Sequence, residues 1–196
     1  PVNPVFGGVA YIPDKQLIDG LSEELRHWQA CWPDLCQQFL QLSNYPEACP
    51  VIGKPLATGL QEAFSLNGES LHYGEEQVDS SDYAQLLRER CRADSHAKDS
   101  NGQAGPFLTG ALARATLAAG RKLCFDMPAE RFGIHGNNLA QASEIGWTLR
   151  RIGQLLETLR QADRSAPLRA TLKQANGGVG TAATEAPRGL LIHHYV

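Results

Sequence analysis

Apolar residues recur at helical spacing in two long stretches of the chain. After Pro13-Asp14, Leu17, Leu21, Leu25 and Trp28 return every three to four positions, which predicts a helix to about Ala30 with Asp14 as its N-cap. Pro33 is expected to interrupt and restart it, and Leu35, Phe39 and Leu42 predict a second helix ending before Asn44-Tyr45-Pro46. The longest periodic run spans Asn138 to about Gln161. There Leu139, Ala142, Ile145, Leu149, Ile152, Leu156 and Leu159 line one face, while Arg150, Arg151, Glu157 and Arg160 lie elsewhere. Two shorter helices are predicted: residues 80–92 (SSDYAQLLRERCR), opened by capping residues, and the Ala-rich GALARATLAAG behind Phe107-Leu108.

The rest reads as short strands and loops. Residues 1–12, with two prolines and Gly7-Gly8, read as a tight loop running into a short strand. Asn67-Gly68, between AFSL and ESLHY, is a hairpin signal. The polar stretch 93–104 reads as a surface loop. Leu168–Lys173 is a possible strand, followed by a glycine loop at Asn176–Gly180 and a terminal strand at Leu190–Val196. No internal repeat is present. The expected fold is α+β and helix-dominant, with long amphipathic helices, short strands and a hairpin.

Charge removes some functions from consideration. With 18 Lys+Arg against 21 Asp+Glu the net charge is 18 − 21 = −3, which argues against a polybasic nucleic-acid or membrane-surface protein. No run approaches the roughly 20 apolar residues that cross a bilayer. At 196 residues the chain can bury roughly 70% of its unfolded surface, so a core needs no disulfide or metal staple. The five cysteines, Cys31, Cys36, Cys49, Cys91 and Cys124, are odd in number and irregularly spaced. That pattern favours reduced, partly buried thiols of a cytoplasmic protein over a secreted disulfide framework. A zinc site on Cys31, Cys36 and Cys49, or a disulfide within that group, stays open as an alternative. The chain opens at Pro1 without Met and stops inside an apolar run, so 1–196 is expected to be a piece of something longer.

The candidate motifs differ in specificity. Gly177-Gly178-Val179-Gly180-Thr181 lacks the lysine of a phosphate-binding loop, and reads as a turn needing positive φ or close backbone approach. His193-His194 on a strand point to opposite faces and do not jointly ligate one metal; one of them is expected to be satisfied in the core. No HExxH, GxSxG or Ser/His/Asp signature is present. Glu185-Ala186-Pro187-Arg188-Gly189 sets a carboxylate, a stiff proline, a guanidinium and a permissive glycine before an apolar strand. Arg188 offers donors to an anionic ligand. Taken alone, the segment also fits a Glu185–Arg188 surface pair.

GTAATEAPRGLLIHHYV resembles the region of the large (alpha) subunit of nickel–iron hydrogenases in which the arginine of an EAPRG motif lies over the active site. The LLIHHY continuation is similar to the cytoplasmic multisubunit branch: NAD-, viologen- or deazaflavin-linked enzymes and sulfhydrogenases. Three further pieces agree in order. PVNPVFGG resembles an HPxNxxxGG segment without its leading histidine, Tyr73-Gly74-Glu75-Glu76 with Ser80-Ser81 resembles FxEExVxxS, and GPFLTGALARAT resembles YxVGALARxN, with Thr116 where asparagine is usual.

The resemblance implies a hydrogenase large-subunit-like fold and reversible oxidation of hydrogen in an intact complex. The cofactor it implies is a nickel–iron centre whose iron carries cyanide and carbon monoxide. The proton would pass to a terminal cysteine thiolate with help from Arg188, whose fixed charge can contribute about 3–4 kcal/mol. Ala186 and Pro187 would give backbone contact to a cyanide, and Glu185 would orient Arg188. Partners would be a small subunit with iron–sulfur clusters and a diaphorase-type electron-transfer module, with no nucleic acid and no membrane span. The family's metal ligands, an RxCGxC and a DPCxxC pair, do not occur here, so no metal ligand is assigned and this piece alone is expected to be inactive and to bind no such centre. The alternative is a hydrogenase-derived, non-catalytic scaffold or interaction protein.

Overall fold

A computed structural model describes residues 4–5, 8–40, 53–59, 67–120, 134–171, 177–186 and 189–196. The chain divides into two compact units, residues 1–43 with 144–176 and residues 44–143 with 177–196. Among the described residues there are eleven strands and four α-helices; helix still holds more residues than strand, so the helix-dominant expectation is loosely met beside a larger share of strand than expected.

In the first unit, β1 (Pro4–Val5) and β2 (Gly8–Val9) pair antiparallel, and the Val9 N–H donates to the Leu168 carbonyl at 3.1 Å. Leu168–Arg169 meets this edge through an isolated bridge at Gly8; the expected strand from 168 does not form over its described residues, and 172–173 lie outside them. The helix α1 (Lys15–Leu40) is capped as expected, the Leu17 N–H donating to Asp14 Oδ1 at 2.7 Å. Pro33 does not divide it. Proline removes one backbone hydrogen bond, and tertiary ties on the turn before it hold the helix through that loss. Gln29 Nε2 donates to the Leu149 carbonyl at 2.9 Å, and the Trp32 indole lies so close to Gly146 that a Cβ there would press on it. The region expected to end the second helix, 41–46, lies outside the described residues.

The long helix α4 (Ile134–Gln161) begins earlier than its periodicity predicts. Its C-terminal part packs Leu149, Leu156 and Leu159 with Ile18 and Leu25 of α1. Ile145 and Ile152, expected on the buried stripe, are exposed.

The second unit holds two principal sheets. One has the order β6-β5-β3-β9, from β3 (Lys54–Thr58), β5 (Ser70–Tyr73), β6 (Glu76–Asp79) and β9 (Phe107–Leu108), with β3 and β9 parallel. The other has the order β11-β10-β4, from β4 (Asn67–Gly68), β10 (Gly180–Ala186) and β11 (Gly189–Tyr195). Leu56, Leu71, Tyr73, Leu86 and Ala183 form the core. The helix α3 (Ala111–Gly120) lies on β3 through Leu117 and Ala57, and Ala111, Leu112 and Ala115 meet Ala140 from the start of α4.

Three expectations fail in this unit. Asn67-Gly68 is not a hairpin turn but a strand beside β10, and the hairpin forms one element later, between β5 and β6 around Gly74 (φ 61°). Gly68 serves close approach, because a Cβ there would collide with the Thr58 hydroxyl. The helix expected over 80–92 shrinks to a 3-10 turn at Ser80–Asp82 and one helical turn, α2 (Tyr83–Leu86). Its second half becomes β7 (Leu87–Arg92), paired with β8 (Ser95–Gly102), which replaces the expected loop. Cross-strand charge pairs, Lys98–Glu89 at 2.8 Å and Arg90–Asp99 at 3.5 Å, join residues that read as helix (Glu89, Arg90) to residues that read as loop (Lys98, Asp99).

Candidate functional site

The site is built on the end of β10. The β10–β11 ladder runs without a slip from Gly180↔Tyr195 to Ala186↔Gly189, so only residues 187–188 separate the two strands. Pro187 and Arg188 lie outside the described residues. Gly189 has φ +130°, which a side chain rarely adopts, so the glycine of the motif answers a backbone need. A cavity of about 420 Å³ borders Gly189, lined among others by Tyr83, Phe107, Thr109 and Leu190, a size that accommodates a small ligand.

Side chains alternate along β10, which puts Glu185 on the same face as Ala183, and Ala183 is 1% exposed in the core. The Glu185 side chain is therefore carried inward, where it retains 5% exposure. It accepts a hydrogen bond from the Thr58 N–H at 3.3 Å and an ion-paired one from Arg114 Nη1. Arg114, on α3, is 8% exposed, and its N–H donates to the Gly110 carbonyl at 3.0 Å as the helix begins. Thr58 is fully buried and its hydroxyl donates to the Ser70 carbonyl at 3.1 Å. Farther back along β10, the buried Ser80 hydroxyl donates to the Thr181 carbonyl at 3.4 Å. Strand β10 is thus tied near both ends.

Glu185 is not a surface carboxylate, as the Glu185–Arg188 surface pair required: it is buried against Arg114, while Arg188 lies outside the described residues. Ala186 is exposed at the strand's last position. Arg114 and Thr58 escaped sequence reasoning. Arg114 left a signal, as the one charged residue in the otherwise small and apolar ALARATLAAG, since a lone charge in an apolar helix needs a counter-charge. Thr58 left none.

The two terminal histidines both lie on the surface, against the expectation that one is satisfied in the core. His194 Nδ1 lies 2.8 Å from the Thr181 hydroxyl, and His193 Nδ1 lies 3.1 Å from the Tyr195 hydroxyl. In the glycine loop, Gly177 takes φ +79°, as expected of a turn needing positive φ. Cys31 and Cys36 are half-buried free thiols and Cys91 is an exposed one, while Cys49 and Cys124 lie outside the described residues. Among the described residues no three His, Cys, Asp or Glu converge to hold a metal ion, so this donor set does not fit a nickel–iron centre by itself. No described helix is long and apolar enough to cross a membrane.

The fold resembles about half of a chain in solved hydrogenase structures. It matches a chain of the Ni-Fe-Se hydrogenase from D. vulgaris Hildenborough with a TM-score of 0.66 and 18% identity, over 96% of this chain and 49% of that one. The [NiFeSe]-hydrogenase of Dm. baculatum matches with a TM-score of 0.62 and 18% identity, over 96% and 48%. In sequence the chain is similar to two sulfhydrogenase alpha subunits from Pyrococcus furiosus. The sulfhydrogenase 1 subunit alpha is 27% identical over 97% of this chain and 46% of its own length. The sulfhydrogenase 2 subunit alpha is 35% identical over 52% of this chain and 26% of its own length. The chain therefore spans less than half of either curated relative. No family model matches it.

Proposed function

We propose that this chain is the central part of the large subunit of a cytoplasmic, multisubunit nickel–iron hydrogenase, which oxidises hydrogen reversibly as an intact complex. The observation that carries the reading is the similarity to hydrogenase alpha subunits along 97% of the chain, together with the buried anchoring of the EAPRG segment through Glu185. The cysteine ligands come from polypeptide outside these 196 residues, so the piece alone is inactive. In the whole enzyme Arg188 would supply a fixed positive charge to the centre, Ala186 and Pro187 would offer backbone contact to an anionic ligand of the iron, and Glu185 would orient Arg188. A small subunit with iron–sulfur clusters and a diaphorase-type module carry the electrons away.

The test is to sequence the gene on both sides of this segment. An RxCGxC run upstream and a DPCxxC run downstream are the expected result. A start codon beside Pro1 and a stop after Val196 would refute the reading and leave a hydrogenase-derived scaffold without hydrogenase chemistry.

A further inference from the structure

We propose that the helix pair α1–α4 of the first unit carries a docking furrow for a third helix, supplied by large-subunit polypeptide outside these 196 residues. The inference rests on the reading above, in which the chain is part of a longer subunit. Contacts along the pair fix its seam and its direction. The Trp32 indole meets Gly146, Gln29 Nε2 donates to the Leu149 carbonyl at 2.9 Å, Leu25 lies over Gly153, and Arg160 pairs with Asp19 at 2.7 Å. Falling numbers on α1 meet rising numbers on α4, so the two helices run antiparallel.

The flanks of this seam differ in character. Leu21, Trp28 and Leu35 recur at every seventh position of α1, and with Ile145, Ile152 and Leu155 of α4 they are between 39% and 48% exposed. Successive helical residues lie about 100° apart. Trp28 immediately precedes Gln29, Ile145 precedes Gly146 and Ile152 precedes Gly153, so both strips are turned from the seam by that angle and in the same sense. In an antiparallel pair, equal turns of the same sense lead to the same side, and the six side chains line one furrow. The residues that follow the seam, Asp19 and Arg26 on α1 with Arg150 and Glu157 on α4, are charged and mark the opposite, solvated side. A contiguous exposed apolar strip of this kind marks an interaction site.

A helix suits the furrow because it pairs its own backbone groups, and the walls, being side chains of two helices, offer no backbone partners. Apolar residues at every seventh position match the ridges and grooves of near-parallel helix packing. The carboxylate of Glu24, which precedes Leu25 on the same flank, favours a Lys or Arg at the matching point of the incoming helix. Length points to the same subunit as its source. The match covers 46% of the sulfhydrogenase 1 subunit alpha and 49% of the Ni-Fe-Se hydrogenase chain, so more than half of each lies beyond it.

The experiment uses the full-length large subunit in its complex, with the 196-residue chain as reference. Leu21→Cys and Ile152→Cys in the furrow, and Arg26→Cys on the charged side, are reacted with a charged maleimide, and each site is followed by mass spectrometry. All three should react readily in the reference chain. In the complex the furrow sites should react on the order of 100-fold more slowly, because access then waits on local opening, while Arg26→Cys stays fast. Furrow sites as reactive in the complex as in the reference chain would overturn the proposal, and so would equal protection of Arg26→Cys. Should a furrow variant fail to assemble, the native Cys31 decides, since it precedes Trp32 on the same flank: slower reaction in the wild-type complex than in the reference chain supports the proposal, and equal reaction overturns it. A photoreactive amino acid in place of Trp28 identifies the occupant. A crosslink to large-subunit polypeptide beyond these 196 residues supports the proposal; one to a second copy of this chain or to another subunit overturns it. A gene that starts at Pro1 and stops after Val196 would instead refute the functional reading, and this inference with it.

Discussion

Removing the Arg114 charge should be among the most costly single changes in the second unit. The side chains of Arg114 and Glu185 are 10% and 5% exposed, which puts the pair in the buried class. Breaking such a pair from one side costs about 3–5 kcal/mol, because the remaining charge stays out of water. Arg114→Met should therefore destabilise the chain by about that amount in urea unfolding. Glu185→Gln removes the other charge while keeping an acceptor for the Thr58 N–H, so Arg114→Met combined with Glu185→Gln should cost less than the sum of the two singles. The expected coupling is about 1–3 kcal/mol. Asp19→Asn is the control. It breaks the Arg160–Asp19 pair, which is 2.7 Å long but 42% and 65% exposed, and should cost less than about 1 kcal/mol. Raising salt to about 1 M should erase the control's effect and leave the Arg114 effect largely intact. An Arg114→Met cost below about 1 kcal/mol, or additivity within about 0.5 kcal/mol, would refute the assignment of the pair as a buried, coupled unit.

Leu71→Ala empties a position with no exposure in the core and should cost about 2–5 kcal/mol, whereas Leu35→Ala on the 43% exposed face of α1 should lower the unfolding midpoint far less. Gly102→Ala drives a Cβ into the Tyr73 ring and hydroxyl, and overpacking of about 1–3 kcal/mol should lower the melting temperature by several degrees; an unchanged melting temperature would show that Tyr73 is free to move aside. The Asp79 carboxylate is held below its ordinary value by hydrogen bonds that Ser81 donates, first from its side-chain hydroxyl and then from its backbone N–H. Its stabilisation is therefore present above the unfolded carboxylate pKa and lost as pH falls through the lower folded value, so the stability gap between wild type and Asp79→Ala should close on acidification; a gap that persists at pH 2 contradicts the cap. The purified 196-residue chain should contain no stoichiometric nickel by metal analysis, and one equivalent would refute the placement of the ligands outside it.

Helix α1 was legible in sequence because apolar residues recur every three to four positions and Asp14 caps it through a contact three residues away, although of Leu17, Leu21, Leu25 and Trp28 only Leu25 is buried and the inward face also uses Ile18. What remained hidden depended on partners far along the chain. Leu87–Arg92 has a composition that suits a helix, and only its pairing with Ser95–Gly102 makes it a strand. Asn67-Gly68 carries the composition of a turn, yet its glycine is needed for a close approach to Thr58. Pro33 marks a break that tertiary contacts around Gln29 and Trp32 override. The EAPRG segment was legible as a motif, but the counter-charge of its glutamate lies 71 residues away and its backbone donor 127 residues away.

Strand parity explains why that glutamate faces inward at all. Ala183 and Glu185 share a face of β10, and burying Ala183 beside Leu56 and Leu71 commits Glu185 to the same side. A slip of one residue against β11 would turn Glu185 to solvent and take its carboxylate away from Arg114. Ladder, core and ion pair therefore specify one register together, and each penalises the alternatives the others would tolerate. A buried charge pair is a poor source of net stability when an apolar pair could replace it. Here its use lies in register: an apolar pair would accept neighbouring alignments, whereas the guanidinium, the carboxylate and the Thr58 N–H are satisfied together in one. The same alignment decides where the polypeptide leaves β10.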